Sequence, residues 1–148
     1  MNRYRMRSLR SGTAEKRKRS MKVLLDTCTV IWATLSPKTL SPRARKLLAE
    51  ESNIILVSAA TAWELATKVR NGKIPEAELL ERNFLETMET ADYTLLSIDT
   101  ASALRAGRLI GTHRDPFDRM IAAQALSLDI PVISPDPLLD EFGIRRIW

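Results

Sequence analysis

Short apolar runs separated by amphipathic segments set the rhythm of this chain. Residues 22–25, 54–57, 93–98, 131–134 and 144–148 are dominated by Val, Ile and Leu and are too short for helices. Each is predicted as a strand, the last of them at a sheet edge. Between the strands the spacing turns helical. A helix is predicted over 27–35, with Val30, Ile31 and Trp32 facing inward. Ser41 ahead of Pro42 is an N-cap followed by proline at the first helical position, opening a helix through Glu50. Ser58 caps a helix that ends at the stop signal Asn71-Gly72. Residues 76–90 read as one polar amphipathic helix, and Asp99 caps another to about Ile110. Asp115-Pro116 then starts an alanine-rich helix through Leu128. Strands alternating with helices imply an α/β fold whose mostly parallel sheet is covered on both faces.

Acidic residues stand beside these apolar runs at chemically telling places. Asp26 directly follows the first strand, and Asp136 lies just past the fourth. Glu64 is on the second turn of the helix after strand two. Asp115 and Asp118 share the first turn of a later helix, three residues apart and so on one face. In an open parallel sheet ligands bind outside the carboxyl ends of the strands, so all of these segments can deliver a carboxylate to one rim, provided the central strands are neighbours. Grouped carboxylates are costly unless a cation neutralises them, which points to a hard metal and to phosphate chemistry. Each acid also has an ordinary reading. Asp26 and Asp115 fit helix caps, Asp118 favours the helix dipole, Glu64 suits a surface pair with Lys68, and Asp136 in Ser-Pro-Asp-Pro fits a turn.

Composition narrows the setting. With 148 residues the chain suits one domain with a real core, residues 21–148, and its one cysteine, Cys28, fits a reducing cytoplasm. No apolar stretch approaches the roughly 20 residues of a membrane span. The net charge of +5 is misleading, because residues 1–20 hold eight basic residues and one acid. The remainder is mildly acidic. That basic segment lacks the apolar stretch of an export signal and reads as a disordered tail or as a mis-called or vector-derived extension.

The ordered set of motifs resembles the PIN domain. Its opening is Leu24-Leu25-Asp26-Thr27, then Ala62-Trp63-Glu64-Leu65-Ala66 with Lys68 and Gly72-Lys73. The most specific block is His113-Arg114-Asp115-Pro116-Phe117-Asp118-Arg119, followed by Ile121-Ala122-Ala123-Gln124-Ala125. Ile133-Ser134-Pro135-Asp136 and Ile147-Trp148 close the pattern. Within that family it is most similar to VapC toxins of toxin–antitoxin pairs. The resemblance implies a three-layer α/β/α sandwich and a ribonuclease dependent on Mg²⁺ or Mn²⁺. It implies Asp26, Glu64, Asp118 and Asp136 as catalytic acids, with Asp115 a further metal-binding acid. It also implies a homodimer and a VapB-like antitoxin that covers the site, leaving open an RNA-processing nuclease without antitoxin or a binding-only module. Thr27 and Ser134 offer hydroxyls beside two of the acids. Cys28 stands where many members carry a polar residue; it also occupies the position at which a haloacid-dehalogenase-type phosphatase needs its second aspartate, which argues against that class.

Four other residues carry plainer expectations. His113 lies in a loop, and activation of water by a metal does not require it as a base. Arg119, next to Asp118, is expected to brace the site through an ion pair. Trp63 and Trp148 are expected to be packing residues, and Trp32 core or dimer interface.

Overall fold

The computed structural model describes residues 20–148, so the expectation for the basic segment lies outside the described residues. The element order is β1 (Lys22–Leu25), α1 (Thr27–Leu35), α2 (Pro42–Ala49), β2 (Ile54–Ser58), α3 (Ala59–Arg70), α4 (Glu78–Arg82), α5 (Phe84–Thr90), β3 (Thr94–Leu96), α6 (Thr100–Arg108), α7 (Pro116–Leu128), β4 (Val132–Ile133) and β5 (Arg146–Ile147). Short 3₁₀ turns at Pro37–Thr39, Pro75–Ala77 and Pro137–Phe142 complete the path. The five described strands form one sheet in the order β3-β2-β1-β4-β5, and every pairing is parallel.

The apolar runs are continuous because both faces of the sheet are covered. On β1, Val23 and Leu25 point into one core with Leu65, Leu80, Phe84 and Met88, while Leu24 points into the other with Ile121, Ala122 and Ala125. The same alternation sends Ile55 and Val57 to the first core and Leu56 to the second. The result is the α/β/α sandwich, with α3, α4 and α5 contributing to one layer and α7 packed against α6 in the other.

Local signals act as read. Ser41 accepts the Ala44 N–H at 3.0 Å, Ser58 accepts the Ala60 N–H at 3.0 Å, and Gly72 takes φ +71° just past α3. Two expectations need correction. The single helix over 76–90 is broken into a 3₁₀ turn, α4 and α5, with Asn83 at φ −105° and ψ 24° between the helices. Asparagine is a poor helix former, and a proline begins the segment, so packing of Leu80, Phe84 and Met88 prevails over helical continuity. The strands are also shorter at β3 and β5 than the apolar runs that announce them. Apolar character reports burial; only the hydrogen-bonded ladder defines a strand.

Strand order decides where chemistry can occur. The chain runs from β1 outward through β2 to β3, then returns to place β4 on the other side of β1. The direction of winding therefore reverses between β1 and β4, and the crevice of such a sheet opens beyond the carboxyl ends of those two strands. Asp26 and Ser134 are the residues that follow them.

Candidate active site

Asp26 is held from both sides. It is the N-cap of α1, where its Oδ1 accepts the Thr29 N–H at 2.8 Å, and its Oδ2 accepts the Ser134 hydroxyl. Ser134 Oγ in turn accepts the Asp136 N–H at 3.0 Å. One buried hydroxyl thus ties the ends of β1 and β4 and aims both aspartates at one rim. Asp26 is only 4% exposed, and burial raises its carboxyl above the ordinary range. Hydrogen bonds from Ser134 and Thr29 work against that rise, and the nearby Glu64 carboxylate adds to it.

The loop before α7 brings the next group. His113 Nε2 lies 2.8 Å from Asp118 Oδ2 and 3.9 Å from Asp136 Oδ2. These three side chains offer ligand atoms within 4.8 Å of one another and could hold a metal ion. Asp118 is pushed up to about 6, mainly by burial; the His113 hydrogen bond lowers it, while Asp115 and Glu64 raise it. Asp115 itself caps α7, its Oδ1 accepting the Phe117 and Asp118 N–H groups at 2.8 and 3.2 Å. Asp136 caps the following 3₁₀ turn through the Leu138 N–H at 3.0 Å.

Glu64 gives the clearest indication of a cation-binding role. The expected pair with Lys68 forms, but Glu64 is 4% exposed, so this is not the surface pair that its spacing suggested. Lys68 engages Oε2 alone, and Oε1 is buried with no hydrogen-bond partner among the described residues. An unsatisfied buried carboxylate oxygen costs at least about 1–3 kcal/mol, so such atoms call for an explanation. Oxygen donors on several carboxylates, one of them unpartnered, fit a hard divalent cation.

The neighbours sort themselves clearly. Thr27 is buried and shares a hydrogen bond of 3.2 Å with Thr61, whereas the Ser134 hydroxyl joins the acids. Cys28 is exposed, and its thiol is pushed up to about 11 by desolvation first and then by Asp26 and Glu64. It is therefore a neutral neighbour of the cluster at physiological pH. Gln124, within the Ile121–Ala125 motif, is a buried strut: it accepts the Ser58 hydroxyl at 2.5 Å and donates to the Ser97 carbonyl at 3.1 Å.

Three expectations change here. Arg119 makes no ion pair among the described contacts; it donates to the carbonyls of Ala106 (3.2 Å), His113 (2.9 Å) and Leu109, pinning the α6–α7 loop. The same loop is gripped by Glu141, which accepts the His113 N–H at 2.6 Å and the Thr112 hydroxyl at 3.1 Å. His113 is consequently part of the cluster rather than a bystander. Its sequence signals are that it is the one histidine and that it opens the motif block just upstream of a helix start. Trp63 is 61% exposed, not packed inside. Because three carbonyls depend on one planar guanidinium, Arg119→Lys is expected to lower stability by about 1–3 kcal/mol and to speed hydrogen exchange over 109–113. Urea unfolding and mass-resolved exchange measure the two effects; unchanged exchange in that loop would rule out the anchoring role.

Carboxylates gathered at the reversal point of a parallel α/β sheet, two of them buried and two half-buried, could hold a divalent cation. The PIN domain family model matches residues 23–144, and the chain belongs to the PIN-domain family. PIN domains are generally nucleases, which supports a nuclease role. No curated protein sequence matches the chain. Among solved structures, it is similar to VapBC2 from Rickettsia felis bound to a DNA fragment from their promoter, with 16% identity and TM-score 0.63 over 86% of this chain and 98% of that one. FitAcB from Neisseria gonorrhoeae is 22% identical with TM-score 0.56, over 85% of this chain and 96% of that one. VapBC-1 from nontypeable Haemophilus influenzae is 20% identical with TM-score 0.53, over 86% and 97%. These likenesses establish the fold. No described helix is long and apolar enough to cross a membrane.

Proposed function

We propose that this protein is a divalent-metal-dependent endoribonuclease, the VapC-type toxin of a toxin–antitoxin pair. The observation that carries the reading is the unpartnered buried oxygen of Glu64 beside the Asp26–Ser134–Asp136 chain. Asp26, Glu64, Asp118 and Asp136 are assigned as the residues that hold Mg²⁺ or Mn²⁺. Asp115 is assigned to the same site, with its cap holding the α7 start in place. When bound, the ion supplies Lewis acidity and lowers the pKa of water for in-line attack on a phosphodiester.

The chain's own residues do the rest. Ser134 fixes the orientation of Asp26, and Thr29 fixes it from the other side. His113 spans Asp118 and Asp136 and, with Arg119 and Glu141 behind it, holds that part of the rim. Lys68 occupies one Glu64 oxygen and leaves the other buried without a hydrogen-bond partner. Thr27 supports α1 through Thr61 rather than offering its hydroxyl to the acids.

The partners follow from the same reading. They are an RNA substrate, a VapB-like antitoxin that covers the acids, and a second copy of the chain, all in the cytoplasm. Metal-assisted hydrolysis leaves 5′-phosphate and 3′-hydroxyl ends and makes no use of the RNA 2′-hydroxyl. End-group analysis of cleaved RNA is expected to find those ends and to find cleavage abolished by EDTA. Cyclic phosphates formed in EDTA would overturn the reading.

A further inference from the structure

Trp63 lies next to Glu64 in sequence, and Phe117 lies next to Asp118. On a helix, adjacent residues point about 100° apart, so the two aromatics stand on the flank of the acids rather than among them. They meet edge to face with ring centroids 4.8 Å apart. Beside them opens a pocket of about 220 Å³, lined also by Ala60, Ile98, Ala103 and Met120. Its walls come from α3, α6, α7 and the segment just before α6, and α3 and α7 also carry acids. Trp63 remains 61% exposed there, a costly place for the largest apolar side chain in the absence of an occupant.

Size and chemistry restrict what fits. The volume is below the roughly 300–1,000 Å³ of sites for larger organic ligands, so it suits one ring system rather than a whole nucleotide. Arg119 borders the pocket, but its guanidinium is committed to three backbone carbonyls and offers little to a phosphate. An apolar slot with an aromatic wall, next to carboxylates assigned to a phosphodiester, matches an unpaired base beside the phosphate under attack. Single-stranded RNA is recognised largely by stacking such bases on aromatic side chains.

We infer that the Trp63–Phe117 pocket seats one unpaired nucleobase of the RNA substrate and so contributes to the choice of cleavage position. The identity of the ligand rests on the nuclease reading; the existence of a base-binding pocket can be tested without cleavage. Binding is followed by fluorescence anisotropy in calcium, with two labelled probes: a single-stranded RNA decamer of adenosines and an abasic ribose-phosphate decamer. The wild-type protein is expected to prefer the adenosine decamer by about 5- to 150-fold, the range for loss of one stacked base. Trp63→Ala and Ala103→Phe are each expected to remove most of that preference and leave abasic binding unchanged. Ala103 is exposed on α6, so a phenylalanine there fills the pocket without entering the core.

Equal affinity of the wild type for both probes would overturn the inference. So would a preference that survives both variants, or a change of oligomeric state in light scattering with base preference intact, which would make the pocket a contact between copies. If the wild type shows the base preference but no metal-dependent cleavage, the nuclease reading fails and the pocket stands. Cleavage without base preference has the opposite meaning.

Discussion

Asp26→Asn is expected to fold normally and to lose metal-dependent RNA cleavage by about three orders of magnitude. The substitution keeps the shape of the side chain. Its remaining oxygen can still accept the Thr29 N–H, and its amide can face the Ser134 hydroxyl, the two contacts that hold Asp26 in place. What disappears is a charge that burial already disfavours. A neutral amide is a poorer ligand for a hard cation than a carboxylate, so the loss belongs to chemistry and not to folding. Single-turnover cleavage at saturating manganese, beside circular dichroism and urea unfolding, separates the two. A variant that unfolds along with its loss of activity, or one that cleaves within tenfold of the wild type, would remove Asp26 from the centre of the site.

Asp118→Asn is expected to stabilise the metal-free protein at pH 7.5 by about 2–3 kcal/mol. The carboxyl rises from 3.8 to about 6 in the folded protein, chiefly through burial. The folded state therefore holds the proton more tightly than the unfolded chain does. The associated stability is complete below about pH 4 and is lost as pH rises through about 6. The wild type is thus penalised at neutral pH, and the asparagine variant escapes the penalty. The advantage should fade as pH falls from about 6 toward 4. Saturating manganese should reverse the order, because a ligand bound only by the folded state stabilises it by mass action, and the variant has lost a ligand. Urea titrations across that pH range, with EDTA and with manganese, provide the measurement. A difference that does not change with pH would mean that Asp118 is not a desolvated carboxylate.

The site was legible in the sequence to different depths. Asp26 and Asp115 looked like caps and Asp136 like a turn residue; the first two cap helices, and Asp136 caps a 3₁₀ turn. Capping and service at a metal site are compatible, since a cap spends the lone pairs of one oxygen and leaves the carboxylate aimed from a helix start. Glu64 paired with Lys68 at the expected spacing. What spacing could not convey was that the pair lies nearly buried, with one oxygen left over. Arg119 next to an aspartate suggested an ion pair, but a helix directs adjacent side chains apart, and the guanidinium found carbonyls instead. Trp63 looked like packing because large aromatics are usually buried; its helix face meets a pocket rather than a core. His113 stood out as the one histidine, but a loop residue has no periodicity from which to read its direction, so its contact with Asp118 and Asp136 was not legible.

Local chemistry was sufficient for most of the elements, for their caps and for the parallel α/β class, though not for the break at Asn83 or the short ladders of β3 and β5. These depend on neighbours within a few residues, where sequence order and spatial order coincide. Strand order, the reversal of winding between β1 and β4, and the hydroxyl of Ser134 joining Asp26 to Asp136 depend on partners about a hundred residues apart. The placement of His113 over Asp118 and Asp136 and the opening of the Trp63 pocket depend on the same tertiary packing, at shorter separations along the chain. Such contacts are selected by how two faces of one sheet can be covered at once, a property of the packed molecule that no single stretch of chain carries.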